Sequence, residues 1–226
     1  MDDAMVSERS ASEAHAARIE GEVFSILSRC LLRPVLGIAR DVQEGKVTGR
    51  LEDLLDRGSS DAVSSALDDI RFVEHELAKI DLESARLALE VEYNRLFVGP
   101  GHVLAPPYES YWESEARQEG FGRLRTAVER DVARAYAACG LEVPRPLAEL
   151  PDHMAIELEF LSYMAVKEAE AWEEGDGREA ARLSAAAEEF AREHPRTWAG
   201  AFSERVREGA RMRFYPALSS LAALLV

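Results

Sequence analysis

An all-α fold of about nine or ten helices, in a single domain with two sub-domains and a hinge left open, is predicted by three observations. Apolar residues recur at helical spacing along most of the 226 residues, and no segment alternates as a strand does. Proline, glycine and capping residues fall at helix-length intervals. One stretch, GPGHVLAPPYES from Gly99 to Ser110, packs three prolines and two glycines into twelve residues and stands apart from the rest.

The first apolar stripe is Ile19, Val23, Ile26, Leu27, Cys30 and Leu31, ended by Pro34, whose ring bars the preceding residue from helical geometry. Arg50 to Asp56 reads as a short helix closed by Gly58. Ser60 is placed to cap a helix with Val63, Leu67, Ile70, Val73, Leu77 and Ile80 on its inner face. Asp81 is placed to cap the next, with Leu82, Ala85, Leu89, Tyr93, Leu96 and Phe97 inward. The Gly99–Ser110 segment cannot be helical, because proline lacks the backbone donor and fixes φ. Helix resumes near Phe121, with Leu124, Val128, Val132, Ala135 and Tyr136 inward, and stops at Gly140.

Leu141 to Leu150 is a connector, and Asp152 occupies an N-cap position before a long helix to about Glu174. Gly175 and Gly177 break the pattern. Three more helices follow: Arg178 to Glu193, Pro195 to Arg211 and Pro216 to Val226, two of them with proline in the first turn.

Composition narrows the function classes. Forty-two acidic residues against 27 Lys and Arg give a formal charge of −15, and no basic cluster of the kind that meets phosphates is present, so no nucleic-acid partner is expected. An acidic surface favours solubility, the plainer reading of the charge alone, and cationic partners such as a basic peptide. The two cysteines, Cys30 and Cys139, lie far apart, which suggests neither a disulfide framework nor a thiolate metal site. The acidic MDDAMVSERS start and a longest apolar run of only Ala217 to Val226 suggest neither a signal peptide nor membrane insertion, and no Arg-Arg pair occurs. A cytoplasmic location is the expectation.

Candidate chemistry is sparse. His153 and Glu157 stand four apart on one helix face, the spacing of a metal hydrolase's ligands, yet neither H-E-x-x-H nor a Glu-x-x-His pair occurs. The plainer reading is a capping Asp152 with a helix-stabilising His and Glu, and the ring of His153 is given no capping job. Gly99-Pro100-Gly101 lacks the Gly-Lys-Ser/Thr end of a phosphate loop, and G-x-S-x-G is absent. Trp112, Trp172 and Trp198 read as core anchors.

Three segments in order carry a resemblance: EYNRLFVGPG from Glu92, APPYESYW from Ala105 and PDHMAIELEF from Pro151. Together they resemble the TorD/DmsD/NarJ family of cytoplasmic chaperones that mature molybdenum-cofactor redox enzymes. The motif positions are Tyr93, Leu96 and Phe97; then Pro107, Tyr108, Glu109 and Ser110; then Asp152, His153, Glu157, Leu158 and Phe160. The resemblance implies an all-helical chaperone domain over residues 1–226 that is not an enzyme and needs no cofactor. It implies as partners the apo catalytic subunit of a molybdoenzyme and its twin-arginine signal peptide, with a homodimer left open. Client contacts carry over to Pro107, Tyr108, Asp152 and His153, with Glu109, Ser110, Trp112 and Glu157 beside them. Tyr93, Leu96, Phe97, Leu158 and Phe160 are assigned packing roles. The competing reading is a metal-dependent helical enzyme centred on His153 and Glu157.

Overall fold

The computed structural model describes residues 2–55, 60–117, 122–143 and 149–226, with side chains from residue 8 onward. Among them are eleven α-helices: α1 Asp2–Leu31, α2 Leu36–Gln43, α3 Lys46–Leu54, α4 Asp61–Leu77, α5 Leu82–Tyr93, α6 Glu109–Ala116, α7 Ala127–Ala138, α8 Met154–Glu173, α9 Gly177–Glu193, α10 Pro195–Gly209 and α11 Phe214–Leu225. The two that periodicity passes over, α2 and α6, are each eight residues long, too short to display a repeating stripe, and α6 takes in Glu109 and Ser110, the proline-free end of the segment read as non-helical. Gly58, Phe121, Pro144 and Pro146, on which parts of the sequence reading rest, lie outside the described residues.

Local chemistry explains most boundaries. Ser60 accepts from the Val63 amide and Asp81 from the Ser84 amide, so both act as the caps their positions suggest. Asp176, which the reading passed over, caps α9 through the Glu179 amide. Two inward assignments fail. Ile80 lies beyond the end of α4 and is exposed, and Leu124 precedes α7 and is exposed too. In each case the stripe was extended one turn past the point where the backbone leaves helical geometry.

The central element is α8, whose apolar residues face nearly every direction, as a helix surrounded by neighbours requires. Helix α1 packs along one side of it. At their crossing Ser162 Oγ donates to the Gly21 carbonyl at 2.7 Å, and a Cβ on residue 21 would lie 3.2 Å from the Ser162 carbonyl oxygen, a tight contact that glycine avoids. Helix α9 lies against another side of α8, while α11 packs on α10 and α4. One apolar core draws side chains from all eleven helices, before and after the proline-rich loop. Its aromatic centre is Tyr93, Phe97, Phe202 and Tyr215, with Phe97 edge-on to Tyr215 at 5.3 Å. No helix among the described residues is long and apolar enough to cross a membrane.

Candidate functional site

The loop after α5 is built to return the chain to α8. Residues Asn94–Val98 form a π-helical turn, a local widening that often accompanies functional segments. Gly99 follows with φ of 86°, a conformation costly for any other residue, and its amide donates to the Asn94 carbonyl at 2.7 Å. The Ala105 amide then donates to the Leu96 carbonyl, which folds the loop back on the turn. Pro106 and Pro107 supply only carbonyls. That of Pro106 accepts from Trp112 Nε1 at 2.7 Å, and that of Pro107 from the Met154 amide at 2.9 Å.

The second and third motif segments, more than forty residues apart, therefore meet. The Glu109 amide donates to the Asp152 carbonyl at 2.9 Å, and Tyr108 and His153 pair as an isolated antiparallel bridge. Asp152 is fully buried, and its Oδ2 accepts from the Ser110 amide at 2.9 Å. It thus serves the start of α6, not α8, correcting the capping role assigned from sequence. The N-cap of α8 is His153, whose Nδ1 accepts from the Ala155 amide at 3.1 Å. This ring does have a local job, and the job needs it uncharged: desolvation pushes its pKa down to about 3.

Nδ1 being an acceptor, the proton resides on Nε2, which faces Glu149 Oε2 at 3.9 Å. The same Glu149 oxygen accepts from Tyr108 Oη at 2.7 Å, and the Tyr108 ring lies edge-on to His153 with centroids 5.1 Å apart. Burial and the Glu149 carboxylate both hold the phenol well above its ordinary range, so Tyr108 remains a donor.

Behind this bridge lies a buried cluster of carboxyl groups. Glu157, fully buried, accepts from Trp198 Nε1 at 3.1 Å, while its other oxygen has no donor on it. Glu109, also buried, lies 2.9 Å from His194 Nδ1. Burial raises the Glu157 pKa well above the ordinary value, and the neighbouring Glu109 and Asp152 raise it further. For Glu109 burial again dominates, and it outweighs the downward pull of His194. Two buried carboxyl groups that face each other can hold one proton between them, which would give the donorless Glu157 oxygen a hydrogen bond.

The consequence for stability has a definite sign. A carboxyl whose folded pKa is raised contributes fully below its ordinary value near 4.5 and loses that contribution as pH rises through the folded value. Glutamine at position 157 would reproduce the protonated acid, accepting from Trp198 and donating to Glu109. Glu157→Gln is therefore expected to raise the thermal midpoint at pH 8 by several degrees, where ~1 kcal/mol moves a domain of this size by ~2–4 °C. Melting curves of variant and parent should converge near pH 4.5. A variant less stable than the parent at pH 8 would show that Glu157 is held ionised.

Of the client-contact candidates, only Tyr108 reaches solvent appreciably; Pro107, Glu109, Ser110, Trp112, Asp152, His153 and Glu157 are buried. Trp112 lies against Phe202 and under the Arg205 guanidinium, 5.3 Å from its ring. Tyr93, Leu96, Phe97, Leu158 and Phe160 are buried in the core. Glu149 and His194 complete the arrangement without having been singled out from sequence, and Trp198, read there only as a core anchor, is buried beside Glu157. His194 and Trp198 open α10, remote from the motif along the chain, and no local pattern ties them to Glu109 and Glu157. Among the described residues no three His, Cys, Asp or Glu side chains are grouped to hold a metal. His153 Nδ1 is occupied by the Ala155 amide and Glu157 by Trp198, so the pair behind the metal-enzyme reading is engaged in packing the motif.

Comparison with known proteins gives a consistent set of relatives. A family model described as the nitrate reductase delta subunit matches residues 61–204, which contain every residue of the motif, the bridge and the carboxyl cluster. The chain is 28% identical over 149 residues to the chaperone protein TorD of Vibrio cholerae, covering 65% of this chain and 62% of that one. It is 30% identical over 144 residues to a chlorate reductase assembly chaperone of Ideonella dechloratans, covering 63% and 70% respectively. A selenate reductase assembly chaperone of Thauera selenatis is 29% identical over 136 residues, covering 59% and 66%. The chain thus spans somewhat under two thirds of the length of the TorD relative.

Proposed function

The chain belongs to the nitrate reductase delta subunit family, and from that premise we propose that it is a non-catalytic assembly chaperone for the catalytic subunit of a molybdenum-cofactor reductase. In this reading residues 1–226 act as one chaperone domain in the cytoplasm. The domain binds the apo-enzyme and its twin-arginine signal peptide, and assists folding and cofactor insertion before export.

The observation that carries the reading is the bridge between Tyr108 and His153. It joins two motif segments through the amides of Glu109, Ser110 and Met154, with one aromatic ring and the Glu149 carboxylate left at the surface. An enzyme needs an open position beside its carboxyls, and here Glu109, Asp152 and Glu157 are buried. A pre-ordered aromatic edge costs little entropy on binding and can receive the apolar part of a signal peptide. Beside it, the Glu149 carboxylate suits a client arginine through a charge-assisted hydrogen bond. Pro107, Glu109, Ser110, Trp112, Asp152, His153 and Glu157 contribute by holding Tyr108 in place.

Tyr108→Ala is expected to weaken binding of a molybdoenzyme signal peptide by ~1–2 kcal/mol, about 5- to 30-fold. The thermal midpoint should fall only a few degrees, because the ring is half-buried and lies outside the aromatic core. Calorimetric titration paired with melting curves measures both. Unchanged affinity, with or without a stability loss, would remove Tyr108 from the contact surface.

A further inference from the structure

We infer that the groove bounded by α7, α8 and α9 is a docking site for an amphipathic helical segment of the client that carries cationic residues at its ends. The inference rests on the chaperone reading and adds to it a second contact surface, distinct from the Tyr108 edge.

The groove exists because α7 does not close against α9. Tyr136 reaches from α7 onto Phe160 and Phe190, with centroids 4.7 and 5.9 Å away, and beyond that contact no helix among the described residues covers the α8 face. The resulting space has a volume of about 780 Å³. Its floor is apolar, built from Cys139, Met164, Ala171, Leu183 and Ala186, with the Cys139 and Met164 sulfurs 3.8 Å apart. Along α8 the lining runs from Phe160 to Glu174, and along α9 from Glu179 to Glu193. Each wall is therefore ~21 Å long at 1.5 Å rise per residue, the length of about four helical turns rather than of a small ligand.

Charge selects the occupant. The rim carries Glu170, Glu174, Glu179, Glu189 and Glu193 against Lys167 and Arg182. Lys167 is engaged with Glu170 and Arg182 with Glu179, each at 2.6 Å. At one end Glu174 has no cation within ion-pair distance among the described residues, and at the other Glu189 and Glu193 share Arg192. Both ends are thus surplus in negative charge, on a chain of net charge −15. A helix laying an apolar face into a groove, with basic residues at its two ends, fits both features. The groove also adjoins the motif: His194 lines its end and contacts Glu109 at 2.9 Å.

Cys139 provides the readout. Cys30 is buried with its thiol pushed up to about 12, so alkylation reports on the groove floor. The probe is a synthetic amphipathic peptide of about fourteen residues, with a Leu and Ala face and two Arg at each end, ~21 Å long as a helix. Its controls are the same peptide with Glu for Arg and a scrambled version. At ten times its dissociation constant the Arg peptide should slow Cys139 alkylation about tenfold. Ala186→Trp and Ala138→Trp, which fill the groove from opposite walls, should each abolish that protection, while Tyr108→Ala should leave it intact. Two variants guard against one of them failing to fold.

Absence of protection by the Arg peptide would overturn the inference. So would equal protection by the Glu or scrambled peptide, or protection that grows with protein concentration alone and so reports a second copy in the groove. If the Arg peptide protects but no signal peptide binds at Tyr108, the groove stands and the chaperone reading falls.

Discussion

Glu92→Ala is expected to be the most damaging single change outside the aromatic core, costing about 3–5 kcal/mol, the range for removing one partner of a buried ion pair. Glu92 is 5% exposed at the end of α5. Its carboxylate receives both arms of Arg95, at 2.7 and 2.8 Å, together with the backbone amides of Arg211 and Met212. It therefore ties the start of the π turn to the link between α10 and α11, and Arg95 adds a bond to the Gly209 carbonyl. Alanine would leave the Arg211 and Met212 amides without an acceptor and the partly buried Arg95 guanidinium with only the Gly209 carbonyl. A urea denaturation curve checks this; a midpoint within experimental error of the parent would mean that water replaces the carboxylate at no cost.

The pH arm of that experiment has a sign opposite to that of the carboxyl cluster. Burial pushes Glu92 up, but Arg95 and the two amides outweigh it and hold the group below its ordinary value near 4.5. A depressed carboxylate contributes above the ordinary value and loses that contribution as pH falls through the folded one. The stability gap between parent and Glu92→Ala should therefore be constant from neutral pH down to about 4.5 and narrow below it. Over the neutral to mildly acidic range the Glu109 and Glu157 pair gains stability as pH drops.

Asp152→Ala is expected to cost about 2–3 kcal/mol, because it strips the acceptor from the buried Ser110 amide and uncaps α6. Asp152→Asn keeps an oxygen for that amide and removes one negative charge beside Glu109 and Glu157, so it should fall within about 1 kcal/mol of the parent. The pair of variants separates capping from charge. Equal losses in both would show that the carboxylate charge, not the hydrogen bond, holds the bridge. A silent Asp152→Ala would show that α6 does not depend on this cap.

Where the chain reports its own structure and where it does not follows from range. Asp81 and Ser60 were legible as caps because a cap acts on an amide three residues away. The stripes of α1, α4 and α5 were legible because a core-facing helix repeats every three to four residues. His153 and Asp152 were misassigned because the same residue types suit either job, and adjacent positions exchange roles with one residue's shift in where the helix starts. Leu124 and Ile80 were misplaced because apolar periodicity does not register the turn at which backbone geometry ends. The Glu92 anchor could not be seen, since its partners at positions 211 and 212 lie more than a hundred residues away and offer only backbone amides.

By itself the sequence determined that the chain is all-helical, that a proline- and glycine-rich loop interrupts it at Gly99, and which motif residues resemble the family to which it belongs. Each is a local property, written in side-chain periodicity, in the dihedral limits of proline and glycine, or in residue order. Only the tertiary structure decided that Tyr108 pairs with His153, that Glu109 and Glu157 face each other beside His194 and Trp198, and that α8 is left open between α7 and α9. Those facts depend on where distant segments come to rest in three dimensions. Burial turns that placement into chemistry, because it shifts the Glu157 carboxyl toward keeping its proton and the His153 imidazole toward losing its own.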